Sequence, residues 1–83
     1  MEINASSLSD LVVLLVEPML DHPEDLAVTF KEDEDRVIIE ISVHTEDAGR
    51  VIGRSGRIIK AIRTLVRACA NQDRLHVDVE LVD

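Results

Sequence analysis

Three stretches of this chain alternate apolar and polar residues, so each offers a single apolar face. Leu26, Val28 and Phe30 alternate with Ala27, Thr29 and Lys31. Val37, Ile39, Ile41 and Val43 alternate with Ile38, Glu40, Ser42 and His44, and Leu75, Val77, Val79 and Leu81 with His76, Asp78 and Glu80. Period-two alternation marks half-buried strands. Strands that are apolar on one side build a sheet covered on that side only. The expected fold is therefore α+β: a three-stranded sheet with helices packed on one face.

The covering helices are also readable. Leu8, Leu11, Val12 and Leu15 recur at helical spacing behind Ser7-Leu8-Ser9-Asp10, which reads as an N-cap with Asp in the place of the usual Glu. Residues Met1 to Ser6 are expected to fray ahead of it. Pro18 should kink or tighten the last turn, and Asp21-His22-Pro23 should end the helix. Glu32 to Asp35 form the turn between the first two strands. Thr45 can cap a short helix running to about Ile52. Gly53-Arg54-Ser55-Gly56 interrupts it, and a longer helix follows from about Gly56 to Ala70, with Asn71 as its stop. The order is α-β-β-α-α-β, without internal repeat or linker, in one domain over residues 1–83.

Around the long helix, taking Arg57 as zero, Lys60, Arg63 and Arg67 fall between about 240° and 300°, while Ile58, Ile59, Ile62, Leu65, Val66 and Cys69 fall between about 80° and 200°. One face is assigned to the core and another is a cationic stripe that starts at the glycine loop. Charge is segregated along the chain as well. Between Ala48 and Gln72 there is no acid, while Arg50, Arg54, Arg57, Lys60, Arg63 and Arg67 all lie there; the remainder holds three basic residues against 17 acids, and the net charge is −8. Fields act over roughly 8–10 Å, so a concentrated basic segment attracts an anion even in an acidic chain. Arg54 and Arg57 crowd a helix start, where the macrodipole disfavours cations unless an anion arrives.

Two glycines three apart permit a tight turn whose backbone approaches another backbone without Cβ interference. The helix behind it presents free N–H groups, a natural phosphate seat. A P-loop is excluded by the glycine spacing and by the absence of Lys-Ser/Thr after Gly56; a Rossmann fingerprint is excluded by three glycines in all and no βαβ context.

The run Val51-Ile52-Gly53-Arg54-Ser55-Gly56-Arg57-Ile58-Ile59-Lys60-Ala61-Ile62-Arg63 resembles the KH-domain signature, a GXXG clamp that holds about four nucleotides of single-stranded RNA. With a helix and strand ahead of a β-α-α-β core, the arrangement resembles the type II KH domain. Asp21-His22-Pro23-Glu24-Asp25 and the helix Ala61 to Ala68 resemble the small stand-alone bacterial KH proteins of the KhpA family, over nearly the whole chain. The resemblance implies a cytoplasmic RNA-binding protein, an RNA chaperone or post-transcriptional regulator. It also implies association with a larger KH-containing partner of the KhpB (Jag) kind and with control of cell shape and wall synthesis.

In the clamp so implied, Gly53 and Gly56 let the loop pack against the sugar–phosphate backbone. Arg54, Ser55 and the helix start hold phosphates, Arg57 and Lys60 supply the rim, and Arg63 is counted with them as RNA-binding. Ile52, Ile59 and Ile62 are the expected floor of a groove against the second strand, with Ile39 or Ile41 opposite; for each isoleucine plain core packing is an equal reading. A rival function is a KH-fold protein-interaction module, a homodimer or a heterodimer, with little RNA binding of its own.

Other features are quieter. One aromatic, Phe30, leaves no stacking platform. The apolar run Leu11 to Val16 is far shorter than a membrane span and lacks the basic flank of a signal peptide. The single Cys69 cannot form an internal disulfide, which fits a reducing compartment, and its place on the helix is that of a small core residue. His22, His44 and His76 lie far apart without zinc-ligand spacing, so ordinary surface or strand histidines are expected and no metal or cofactor. The acidic turn lacks the spacing of a calcium loop. No pair of residues suggests acid–base catalysis, and no enzyme is expected.

Overall fold

The computed structural model describes residues 3–71 and 74–82. Helix α1 (Ala5–Val16) leads through a 3₁₀ turn (Glu17–Met19) and another (Pro23–Asp25) into a hairpin of β1 (Ala27–Asp33) and β2 (Arg36–Ser42). A 3₁₀ turn (Thr45–Asp47), α2 (Ala48–Ile52), a further 3₁₀ turn (Arg54–Gly56) and α3 (Arg57–Asn71) then carry the chain across to β3 (His76–Val82). The strand order is β1-β2-β3, with β1 antiparallel and β3 parallel to β2. A parallel pair needs a crossover connection, and here α2 and α3 are that crossover. This is the α-β-β-α-α-β arrangement expected.

Register puts the apolar sets on one side. Val37 pairs with Val77, Ile39 with Val79, and Ile41 with both Val28 and Leu81. Leu8, Val12 and Val16 of α1 and Ile59, Ile62, Val66 and Ala70 of α3 join them in one core. The other face carries Glu40, paired with Lys31 at 3.4 Å, beside Asp78 and Glu80.

Several boundaries differ from the sequence reading. The N-cap of α1 is Asn4, three residues before Ser7: Asn4 Oδ1 accepts from the Ser7 N–H and Ser7 Oγ accepts from the Asn4 N–H, both at 2.9 Å. Asn and Ser thus form a reciprocal capping box about one turn ahead of the Ser7–Asp10 cap that the sequence suggests. Ala5 is buried, so the expected fraying does not extend to it, and Met1 and Glu2 lie outside the described residues. Thr45 is not a cap; His44 Nδ1 accepts the Glu46 N–H at 3.0 Å instead. The hairpin is tighter than a four-residue turn, with Glu34 at φ 55. Pro18 sits in the 3₁₀ turn that tightens the end of α1, as expected.

Candidate functional site

Val51 of α2 is fully buried and fixes the short helix against the core, so the chain must reverse at once to begin α3. Gly53 makes that reversal at φ 75, ψ 172. A Cβ there would lie 2.6 Å from Ile58 Cγ1 and 2.9 Å from the Ile58 backbone nitrogen, so glycine is required by both conformation and contact. Ser55 (φ 58) and Gly56 (φ 74) are left-handed too. A Cβ at Gly56 would meet only Lys60 Cε at 3.9 Å, an ordinary contact, so its backbone angle is the reason for glycine. Ser55 has no such freedom, and the loop holds it in a sparsely populated region. Arg54 and Ser55 form an exposed tip.

The six cations of this segment divide into three groups. Arg50 pairs with Asp21 at 2.7 Å, and Arg67 with Asp78 at 3.3 Å. Arg63 and Arg67 also turn their Nε–H groups onto the edge strand, donating to Val79 O at 2.9 Å and Val77 O at 3.3 Å. They cover polar backbone at an otherwise open sheet edge. Arg54, Arg57 and Lys60 are exposed, and among the described residues none has a carboxylate partner. The unneutralised charge is therefore concentrated at the loop and the first turn of α3.

The expected isoleucine floor is corrected. β2 is the central strand, and Ile39 and Ile41 are wholly inaccessible; Ile59 and Ile62 pack with them. These four are core. Ile52 does not line a groove against β2 either: it is 41% exposed beside the loop. The open groove runs instead between α3 and the β3 edge, lined by Lys60, Arg63, Thr64, Arg67 and Val79 together with the acids Asp78 and Glu80. The assigned core face of α3 was also too wide, because Ile58 and Leu65 are exposed while Ala70 is buried.

The opposite end of α2 holds a cluster that the sequence does not announce. Asp47 is fully buried, and its two carboxylate oxygens accept the N–H groups of Asp21 at 3.0 Å and His22 at 2.9 Å. Burial pushes this carboxyl up, but the two backbone donors, with His22 and Arg50 nearby, outweigh it and hold the pKa below the ordinary 3.8. The His22 ring, carried on that tethered backbone, stacks on His44 with centroids 4.0 Å apart. Histidines expected to stand alone are therefore neighbours. Cys69 is half-buried against the core, as its helical position implied.

The KhpA/KhpB KH-domain family profile matches residues 9–81. The chain belongs to that family. Its relatives include proteins named RNA-binding protein KhpA from three bacteria. That of Listeria monocytogenes is 41% identical over 92% of this chain and 100% of its own length, and that of Bacillus subtilis 43% over 92% and 94%. That of Leifsonia xyli is 49% identical over 78% and 86%. Among solved structures, an Aquifex aeolicus Era variant bound to GDP and aluminium fluoride superposes with a TM-score of 0.65 at 18% identity, over 99% of this chain and 33% of that one. That is a likeness of fold alone. The KH-type α+β architecture read from the sequence is thus supported by the family match. No helix among the described residues is long and apolar enough to cross a membrane.

Proposed function

We propose that this chain binds single-stranded RNA through the Gly53–Gly56 loop and the start of α3. The observation that carries the reading is the local excess of cations: Arg54, Arg57 and Lys60 stand without carboxylate partners among the described residues of a chain of net charge −8. Gly53 and Gly56 shape the loop, and Arg54, Ser55 and the first N–H groups of α3 take phosphates. Arg57 begins α3 one turn ahead of Lys60, which lines the α3–β3 groove, where Arg63 exchanges or shares its Val79 contact with bases. Ile52 flanks the loop, while Ile59 and Ile62 act from behind as its packed support.

A clamp of this size engages few phosphates, so binding is expected to be modest and salt-sensitive. The names of the relatives support RNA as the ligand. We extend the reading to a cytoplasmic RNA chaperone or post-transcriptional regulator acting with a larger KhpB/Jag-like KH protein in control of cell shape and wall synthesis. Filter binding of short single-stranded RNA tests the clamp. Arg54→Asp with Ser55→Asp should weaken it roughly tenfold or more in a protein that still folds. Unchanged binding by the folded double variant would remove the loop from the mechanism.

A second reading draws on a different face. Ile58, Ala61, Leu65 and Ala68 form an exposed apolar stripe along α3, with Leu65 51% accessible. Their three- and four-residue spacing suits helix pairing. A homodimer or heterodimer through this stripe would supply the second RNA-binding module that a weak single clamp needs. Leu65→Asp should convert such a dimer to a monomer in sedimentation analysis. A tight dimer that binds no RNA would favour the interaction module over the clamp.

A further inference from the structure

His22 and His44 come from different connections, one following α1 and one following β2, yet their rings meet. Glu46 joins them: its Oε1 lies 3.2 Å from His22 Nε2 and 3.7 Å from His44 Nδ1. One donor atom from each of the three residues lies within 4.8 Å of the other two. Two imidazole nitrogens and one carboxylate oxygen form a donor set used for zinc, and three protein ligands leave a coordination position for water. Imidazole selects first-row transition ions over magnesium or calcium, which take oxygen ligands.

The surroundings favour a cation and hold the donors in place. The buried Asp47 carboxylate anchors the His22 backbone, and Pro23 restricts the residue before it. Glu24 Oε1 lies 3.6 Å from His22 Nδ1, positioned to orient this ring through its second nitrogen while Nε2 faces Glu46. Both imidazoles are about one-third exposed, so an ion can reach them from solvent. Arg50 of the basic segment, on α2, is paired with Asp21.

We propose that His22, His44 and Glu46 form a binding site for a divalent first-row transition ion of the zinc class. Ligands on one tetrahedral zinc stand about 3.3 Å apart; His22 Nε2 and Glu46 Oε1, at 3.2 Å, already meet this, and His44 Nδ1, at 3.7 Å from Glu46, closes onto the ion by side-chain rotation. If His44 binds through Nδ1, it gives up the Glu46 N–H bond that caps the turn ahead of α2, so occupancy changes the local bonding at the base of the helix that leads into the loop. With only three protein ligands and that bond exchanged, the site is expected to be of micromolar affinity and reversible.

The test uses the full chain without an affinity tag, stripped with chelator. Cobalt(II) is titrated and its visible absorption followed, then displaced with zinc(II). A saturable one-to-one transition, bleached by zinc, is expected. His22→Asn, His44→Asn and Glu46→Gln should each weaken it roughly tenfold or more, while His76→Asn, on β3, should leave it unchanged. Glu46 is exposed and its backbone bond to His44 does not need its side chain, so the Glu46→Gln protein tests the site without risk to the fold. A thermal shift on adding zinc to the native chain, lost in Glu46→Gln, would confirm the assignment. Absence of saturable binding by the native chain, or binding undiminished in the His22→Asn, His44→Asn double variant, would overturn it.

Discussion

The two ends of α2, a helix of five residues, solve opposite problems. At its C-terminal end four consecutive residues make a loop from backbone geometry, and three cations are left without carboxylate partners among the described residues. At its N-terminal end Asp21, His22, His44, Glu46 and Asp47 are gathered from two connections and tied together by hydrogen bonds. A continuous segment can carry a loop conformation because glycine spacing determines it locally. An assembled corner depends on the fold to bring its members together. The comparison separates an end whose shape is set locally to meet an anion from one that only the folded chain assembles.

The largest effect expected from breaking this contrast is at Gly53. Gly53→Ala places a Cβ against Ile58, including its backbone nitrogen, at a φ of 75 that alanine rarely adopts. Overpacking and backbone strain together should cost about 2–4 kcal/mol, measured by urea unfolding. Gly49→Ala, where a Cβ meets nothing within 4 Å on the same helix, is the control and should not destabilise. Equal effects at the two glycines would show that the loop is not held as described.

The next effect belongs to Asp47. Its folded pKa is depressed, so its contribution is complete above the unfolded value of about 3.8 and is lost as pH falls through the lower folded value. Asp47→Asn should lower stability near neutrality and remove part of the acid-induced loss below about pH 4, with chelator present to exclude metal effects. Denaturant melts of the two proteins across pH 2–7, run in parallel, measure this (roughly the range in which carboxylates titrate). A constant difference between them down to pH 2 would mean that the carboxylate is not the group responsible.

The same contrast explains what the sequence disclosed. Period-two alternation located all three strands, because sheet faces are written in neighbouring residues. The glycine loop was visible for the same reason. The α3 face was misjudged because apolar residues occupy more of the helix than the core can cover, so Leu65 is left outside while the small Ala70 fits within. The groove was placed beside the wrong strand because alternation gives faces and not strand order. With β2 central, an open cleft needs an edge strand, and β3 is the edge against which α3 packs. Nothing in the spacing of His22, His44 and Asp47 marks their contact; it exists only once the β1–β2 hairpin and the α1 connection are folded together.

The smallest effect is the sharpest test of where one end stops and the other begins. Arg50 belongs to the basic segment by sequence, yet in space it is paired with Asp21 on the acidic side. An exposed pair of this kind contributes about 0–1 kcal/mol, so Arg50→Gln should change stability little. It should also leave the salt dependence of RNA binding unaltered, since the arginine is not available to phosphate. Arg57→Gln should reduce the slope of log affinity against log salt by about 0.7, the value of one phosphate contact on a single strand. Equal slopes for the two variants would make the cationic stripe a diffuse field, with no distinct group of charges at the loop.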